Sequence, residues 1–152
     1  MFHEGPNAGV ATDDACAIYT DGGARGNPGP AAAGGVIVGP DGAVVAELSQ
    51  YLGVATNNVA EYRALILTLE RALEAGFRRA ILYMDSELVV RQLGGAYKVK
   101  DEKLLTLHAQ ARRLLRRFDD VSIHHVRREK NKHADALVNA AIDAHLTDRL
   151  ME

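Results

Sequence analysis

Tyr19-Thr20-Asp21-Gly22-Gly23-Ala24-Arg25-Gly26-Asn27-Pro28-Gly29-Pro30 joins an apolar run, residues 15–19, to a segment dense in Gly and Pro. Gly and Pro in that density predict a sharp bend straight after a carboxylate, so Asp21 is expected at the end of a strand. An Asp in that position has two uses: accepting backbone N–H groups of the turn, or joining other acids in a site. Only the rest of the chain decides between them.

Outward from this stretch, residues 33–38 and 43–48 read as two strands around Gly39-Pro40-Asp41-Gly42, a hairpin signal. With the strand ending at Asp21 they predict a three-stranded antiparallel meander. Gly34 and Gly35 weaken a strand, which marks a bulge or a close approach of neighbouring backbone. Leu65, Leu69, Ala72 and Leu73 then share one face of a helix over about 57–75, with Gly76 as its stop. Glu61 falls on that same apolar face, where a charged group needs a partner, although a first-turn Glu also complements the helix dipole.

The run 80–84 suits a strand covered on both faces and ends at Asp85. A crossover through a helix predicts that it lies parallel to the strand ending at Asp21. A short helix over 87–93 follows, and then a longer one over 102–117 that turns Leu104, Leu107, Ala111, Leu114 and Phe118 inward and Arg112, Arg113, Arg116 and Arg117 outward. Residues 121–126 form a last strand. The basic loop 127–132 leads into a final helix with Leu137, Ala140, Ala141 and Ala144 expected on its core face and Asp135 in its first turn. The economical solution is an α/β domain: a five-stranded mixed sheet, three strands antiparallel and two parallel, flanked by helices. Residues 1–15 are expected as a flexible N-terminal tail, 16–145 as the domain, and 146–152 as a C-terminal tail.

Composition narrows the function. A chain of 152 residues with 47% apolar content fills one domain, and the net charge of −2 argues against a generally basic nucleic-acid coat. The charge is uneven: six Arg/Lys against eleven Asp/Glu over 1–97, eleven against five over 98–132, and one against four over 133–152. Such asymmetry suits a protein that meets a polyanion on one side and holds cations on another. Cys16 is the only cysteine, which excludes an internal disulfide framework and a cysteine-based zinc site. No secretory or membrane-spanning segment is read, so a cytoplasmic protein without membrane attachment is expected.

If the parallel strands adjoin, Asp21 and Asp85 emerge at the carboxyl-terminal sheet edge, where α/β sites lie. Glu61 and Asp135, in opening turns of helices, can project to the same edge. Four clustered acids repel one another unless protonated or neutralised, and a hard divalent cation with oxygen ligands is their natural partner.

The blocks Tyr-Thr-Asp-Gly-Gly…Gly-Asn-Pro-Gly-Pro (19–30), Thr-Asn-Asn-Val-Ala-Glu-Tyr-Arg-Ala-Leu (56–65), Met-Asp-Ser-Glu-Leu-Val (84–89) and Asn-Lys-His-Ala-Asp-Ala-Leu (131–137) stand in one order. In these four blocks the chain resembles the type 1 ribonuclease H family. The resemblance implies a ribonuclease H-like fold and endonucleolytic hydrolysis of the RNA strand of RNA–DNA hybrids, giving 5′-phosphate and 3′-hydroxyl ends, in replication or repair. Asp21, Glu61, Asp85 and Asp135 match the acids that bind two Mg2+ or Mn2+ ions. Asn27, Asn57 and Asn58 match contacts in the minor groove of the hybrid, Gly22 and Gly23 bring backbone to the 2′-hydroxyl, and Thr56 matches a phosphate pocket for the DNA strand. A monomer is expected. The alternatives are a noncatalytic nucleic-acid module of the same fold and a nuclease that also cuts double-stranded RNA.

Two departures from the family pattern stand out. The usual loop histidine before the final helix is missing, since His125 falls in a strand and His133 in the helix opening; Arg128 is the candidate substitute. The basic, tryptophan-rich protrusion of some bacterial members is also missing, leaving Tyr97, Lys98 and Lys100 to compensate.

Overall fold

The computed structural model describes residues 2–4 and 14–151. The sheet contains β1 (Phe2–Glu4), β2 (Cys16–Ala24), β3 (Gly29–Val38), β4 (Val44–Ala55), β5 (Arg79–Met84) and β6 (Asp120–His125) in the spatial order β1-β6-β5-β2-β3-β4. The helices are α1 (Asn57–Glu74), α2 (Glu87–Leu93), α3 (Glu102–Leu115) and α4 (Lys132–Leu150). Strands β2 to β4 form the antiparallel meander, and β5 and β6 continue it in parallel.

Several boundaries differ from expectation, beginning with β3, which starts at Gly29 and not at 33, and β4, which runs on to Ala55 and not to 48. Residues 2–4, assigned to a loose tail, pair in parallel with 121–123 of β6, whose outer edge offers unpaired N–H and C=O groups; residues 5–13 lie outside the described residues. Helix α4 runs on through Leu150, so most of the expected C-terminal tail is helical, with Met151 as its C-cap. Strand β2 does not end at Asp21. It pairs with β3 as far as Ala24↔Ala31, while its parallel pairing with β5 stops at Thr20↔Met84. The Gly-Gly pair therefore stays extended, and the bend comes after Ala24.

That register decides the position of two acids. Thr20 and Met84 are partners, so the next residue of each strand, Asp21 and Asp85, leaves the paired region side by side. The hairpin over 39–43 forms as read, with Gly42 at φ +86° and the Gly39 N–H bonded to the Ala43 carbonyl at 2.8 Å.

The core lies between the sheet and α1, α2 and α3, where Ile18, Tyr62, Leu65, Leu69, Leu82, Leu93, Leu115 and Ile123 are fully buried or nearly so. Helix α4 covers the other face over β2, β3 and β4. Its buried residues are Ala134, Val138 and Ile142, not the expected Leu137, Ala140 and Ala144; Ala141 is only half-buried. Backbone close approach sets this rotation. A Cβ on Gly34 would stand 2.3 Å from the Ala134 carbonyl oxygen and 3.1 Å from the Val138 side chain, so the stripe 134–138–142 seats on the bare strand. Glycine acts likewise on the opposite face, where a Cβ on Gly22 would stand 2.2 Å from the Ala60 carbonyl carbon. Gly34 and Gly35 thus mark close approach: Gly35 makes room for the buried Thr68 hydroxyl, which would be 2.0 Å from its Cβ.

Candidate active site

At the carboxyl end of β2 and β5 the sheet opens into a cleft of about 340 Å³. Asp21, Glu61, Asp85 and Asp135 all line it, together with Gly22, Gly23, Asn57, Asn58 and Arg128. Four separate elements deliver the four acids: β2, the second turn of α1, the end of β5, and the first turn of α4.

Each acid is set by local chemistry. Thr56 caps α1 by accepting the Val59 N–H, at 3.3 Å, and the seating of Ala60 against Gly22 then aims Glu61 at Asp21. The Glu61 carboxylate accepts the Gly22 N–H. Asp21 and Glu61 are 4% and 7% exposed. Asp85 is half-buried, and the amide of Asn131 donates to its Oδ2 at 3.4 Å and, at 2.8 Å, to the Thr20 carbonyl just before Asp21. The Asn131 carbonyl in turn accepts the Asp135 N–H at 3.1 Å. Farther along α4, Asn139 Nδ2 donates to the Asp135 carbonyl at 3.1 Å and to its carboxylate at 3.4 Å.

Oxygen atoms of Asp21, Glu61 and Asp85 lie within 4.8 Å of one another. Burial, then the negative charge of Asp85 and the contact with Asp135, pushes Asp21 up to about 8. Burial and the charges of Asp21 and Asp85 likewise raise Glu61 well above the usual carboxylate range. Glu61 Oε2 is buried with no hydrogen-bond partner, and leaving such an oxygen unsatisfied is costly. An all-oxygen set, crowded, partly protonated when metal-free and holding an unsatisfied lone pair, fits a hard divalent cation. These residues are a plausible divalent-metal site.

The remaining substrate candidates divide between two depressions. Asn57 and Asn58 stand at the cleft. Asn27 and Thr56 line an adjoining hollow of about 730 Å³ with Asp101 to Leu104 at the start of α3, and Asn58 borders both. Neither Asn57 nor Asn58 is spent on capping the helix, because Thr56 is the cap. Asn27 Oδ1 accepts the Asn57 N–H at 3.0 Å and Asn57 Oδ1 accepts the Ala24 N–H at 2.9 Å. Both oxygens are thus committed to fixing the β2–β3 turn against α1, and the amide donors are left for a ligand.

Arg128 opens a 3-10 turn, residues 128–130, and lines the cleft, whereas neither His125 nor His133 does; His133 contacts Glu47 of β4 instead. Sequence reasoning gave no role to Asn131, Asn139 or Arg25. The first two flank Asp135 at four residues on either side, a spacing that puts all three on one helix face. Among the described residues no helix is long and apolar enough to cross a membrane.

Residues 19–141 match the family model described as reverse transcriptase-like. The chain is 53% identical over 125 residues to ribonuclease HI of Halobacterium salinarum, an alignment that covers 82% of this chain and 63% of that protein. It is 48% identical over 128 residues to the bifunctional protein Rv2228c of Mycobacterium tuberculosis, covering 84% of this chain but 35% of the relative. The chain therefore spans about a third to two thirds of the length of these relatives. Among solved structures, RNase H1 of the same Halobacterium superposes with a TM-score of 0.82 at 51% identity, covering 85% of this chain and 98% of that one. LC11-RNase H1 in complex with an RNA/DNA hybrid does so with a TM-score of 0.81 at 47% identity, covering 86% and 99%. With four acids converging from four elements, and with relatives of this identity and coverage, the chain belongs to the type 1 ribonuclease H-like family.

Proposed function

We propose that this chain is a divalent-metal-dependent endonuclease that hydrolyses the RNA strand of RNA–DNA hybrids, leaving 5′-phosphate and 3′-hydroxyl ends. The observation that carries the reading is the convergence of Asp21, Glu61, Asp85 and Asp135 in one cleft bordered by Asn57 and Asn58. The likeness to the hybrid-bound LC11-RNase H1 supports the choice of substrate.

Asp21, Glu61, Asp85 and Asp135 would hold two Mg2+ or Mn2+ ions. Bound there, such ions supply a water-derived nucleophile at neutral pH and stabilise the departing 3′ oxygen. The chain's own groups do the rest. Asn57 and Asn58 donate amide hydrogens to the minor groove, and the Gly22-Gly23 backbone, without side chains, lets a ribose approach closely enough for its 2′-hydroxyl to be read. Asn27, at the adjoining hollow, adds a further donor to the minor groove, and Thr56 receives a phosphate of the DNA strand there. Arg128 supplies positive charge to the phosphate in place of the family's loop histidine. A monomeric role in the cytoplasm, in replication or repair, completes the proposal.

The test is to incubate the purified protein with end-labelled RNA–DNA hybrid, double-stranded RNA and double-stranded DNA, each with Mg2+, Mn2+ or chelator. Metal-dependent cutting of RNA in the hybrid is expected. Equal cutting of double-stranded DNA, or activity persisting in chelator, would sink the reading.

A further inference from the structure

Arg25 belongs to the cleft but to none of the roles above. It follows the last residue of β2, and its backbone N–H is fixed by the Pro30 carbonyl at 2.9 Å. Its side chain crosses the rim to α4, where Nη1 meets Asp143 Oδ1 at 2.6 Å and Nη2 meets Asn139 Oδ1 at 3.2 Å. Asn139 is the residue that also holds Asp135. A polar stripe, Asn131–Asp135–Asn139–Asp143, thus runs along α4 at steps of four residues, from the buried acids out to a guanidinium at the rim.

The charge arrangement points outward. Among the described residues, Arg25 and Arg128 are the only cations lining the cleft that holds the four acids, and Arg25 is the one bonded to the stripe. The ion pair to Asp143 is open to water, with side chains 41% and 65% exposed. Exposed pairs of that kind contribute little, so a competing anion displaces the carboxylate readily. A planar guanidinium fork is well suited to phosphate oxygens. Asn139 and Asp143 stand roughly 6 and 12 Å along the helix axis from Asp135, so the guanidinium they hold lies within a few nucleotides' reach of the acids.

We propose that Arg25 is a phosphate-binding residue for the RNA strand beside the scissile linkage, with Asp143 as a built-in competitor that keeps the guanidinium extended across the rim until the strand displaces it. The strand is assigned because Arg25 continues the same strand end as Asp21, Gly22 and Gly23. The proposal rests on the hybrid-cleaving reading.

Steady-state kinetics over a salt series test it, using a hybrid of fixed sequence and copies carrying one neutral methylphosphonate at each RNA linkage in turn. Arg25→Ala is expected to raise KM about five- to tenfold with kcat changed less than twofold, and to lower the salt slope by about one. Arg25→Lys, which keeps the charge and loses the fork, should retain the slope and raise KM by less than Arg25→Ala does. Asp143→Asn should lower KM, an effect that loss of a merely structural ion pair would not produce. One methylphosphonate, at a single linkage near the cut, should raise the KM of the unaltered chain and leave that of Arg25→Ala unchanged. Unaltered KM and salt slope in Arg25→Ala, or an undiminished response of that variant to every neutral linkage, overturns the proposal. Failure of the unaltered chain to cut any hybrid overturns the reading of the whole site instead.

Discussion

Helices α1 and α4 do the same task on opposite faces of the sheet, each bringing one carboxylate to the Asp21–Asp85 pair, yet they are anchored differently. Helix α1 buries ten of its residues, Glu61 among them, whereas α4 buries three. Glu61 is therefore held by the core. Asp135, half-exposed, is held by hydrogen bonds along its own helix, from Asn139 and through Asn131. Carboxylates of one site are thus fixed by two physical means: packing where the acid is buried, and a polar stripe where it is wet.

The sharpest break is expected at the packed side. Asp21→Asn and Glu61→Gln should each lower the hybrid-cleavage rate by about a thousandfold or more, corresponding to about 4 kcal/mol, while Asp135→Asn should cost about tenfold less. Equal losses in single-turnover assays would show that burial does not rank the acids.

Glycine substitutions probe the anchoring itself. Gly22→Ala drives a methyl group into the Ala60 backbone, and because α1 cannot move without opening the core, a loss of about 3 kcal/mol is expected in urea unfolding. Gly34→Ala meets Ala134 in the same manner, but α4 can slide. A loss of about 1 kcal/mol is expected there, with a larger effect on activity than on stability because Asp135 is carried away.

A smaller and graded effect concerns pH. In the metal-free protein Asp21 holds its proton up to about pH 8, whereas an unfolded Asp loses it near 3.9. The folded state then binds more protons than the unfolded state between those values, so stability is greatest below about pH 4 and falls as pH rises towards 8, by at most about 1.4 kcal/mol per unit for this group. Glu61 acts in the same direction. Chelator-treated protein melted across this range should show the decline, Asp21→Asn should flatten it, and Mg2+ or Mn2+ should oppose it. The smallest change is expected for Asn139→Ala: a few-fold loss in kcat, with stability changed by less than about 0.5 kcal/mol.

Much of this was legible from residue order. The apolar runs, the hairpin turn and the crossover rule predict the parallel and antiparallel parts of the sheet, and the strand ends point to Asp21 and Asp85. Pattern reading failed where backbone meets backbone. The face of α4 is selected by Gly34 beneath it, and an alanine-rich helix with apolar residues at 137, 138, 140, 141 and 142 offers no single stripe to periodicity. Glycines in that density signal a turn at Asp21, whereas the β3 partner keeps strand β2 extended through them to Ala24. Asn131 and Asn139 were visible as a spacing around Asp135, but a hydrogen-bonding amide and a solvated one look alike in a sequence. Arg25 needed the third dimension altogether, since its partners are 114 and 118 residues away.

The glycine contacts at 22 and 34 also bear on how the protein is made. Asp21, Glu61 and Asp85 belong to elements that can pack together early, but Asp135 reaches them only once α4 has docked through Gly34 onto the far face of the sheet. A chain still emerging from the ribosome with α4 unsynthesised lacks the fourth carboxylate and the Asn131 amide beside Asp85. Full cation affinity, and hence the added stability that a cation confers on the native state alone, arrives with α4, so a centre of this design stays incomplete until that helix is free to dock.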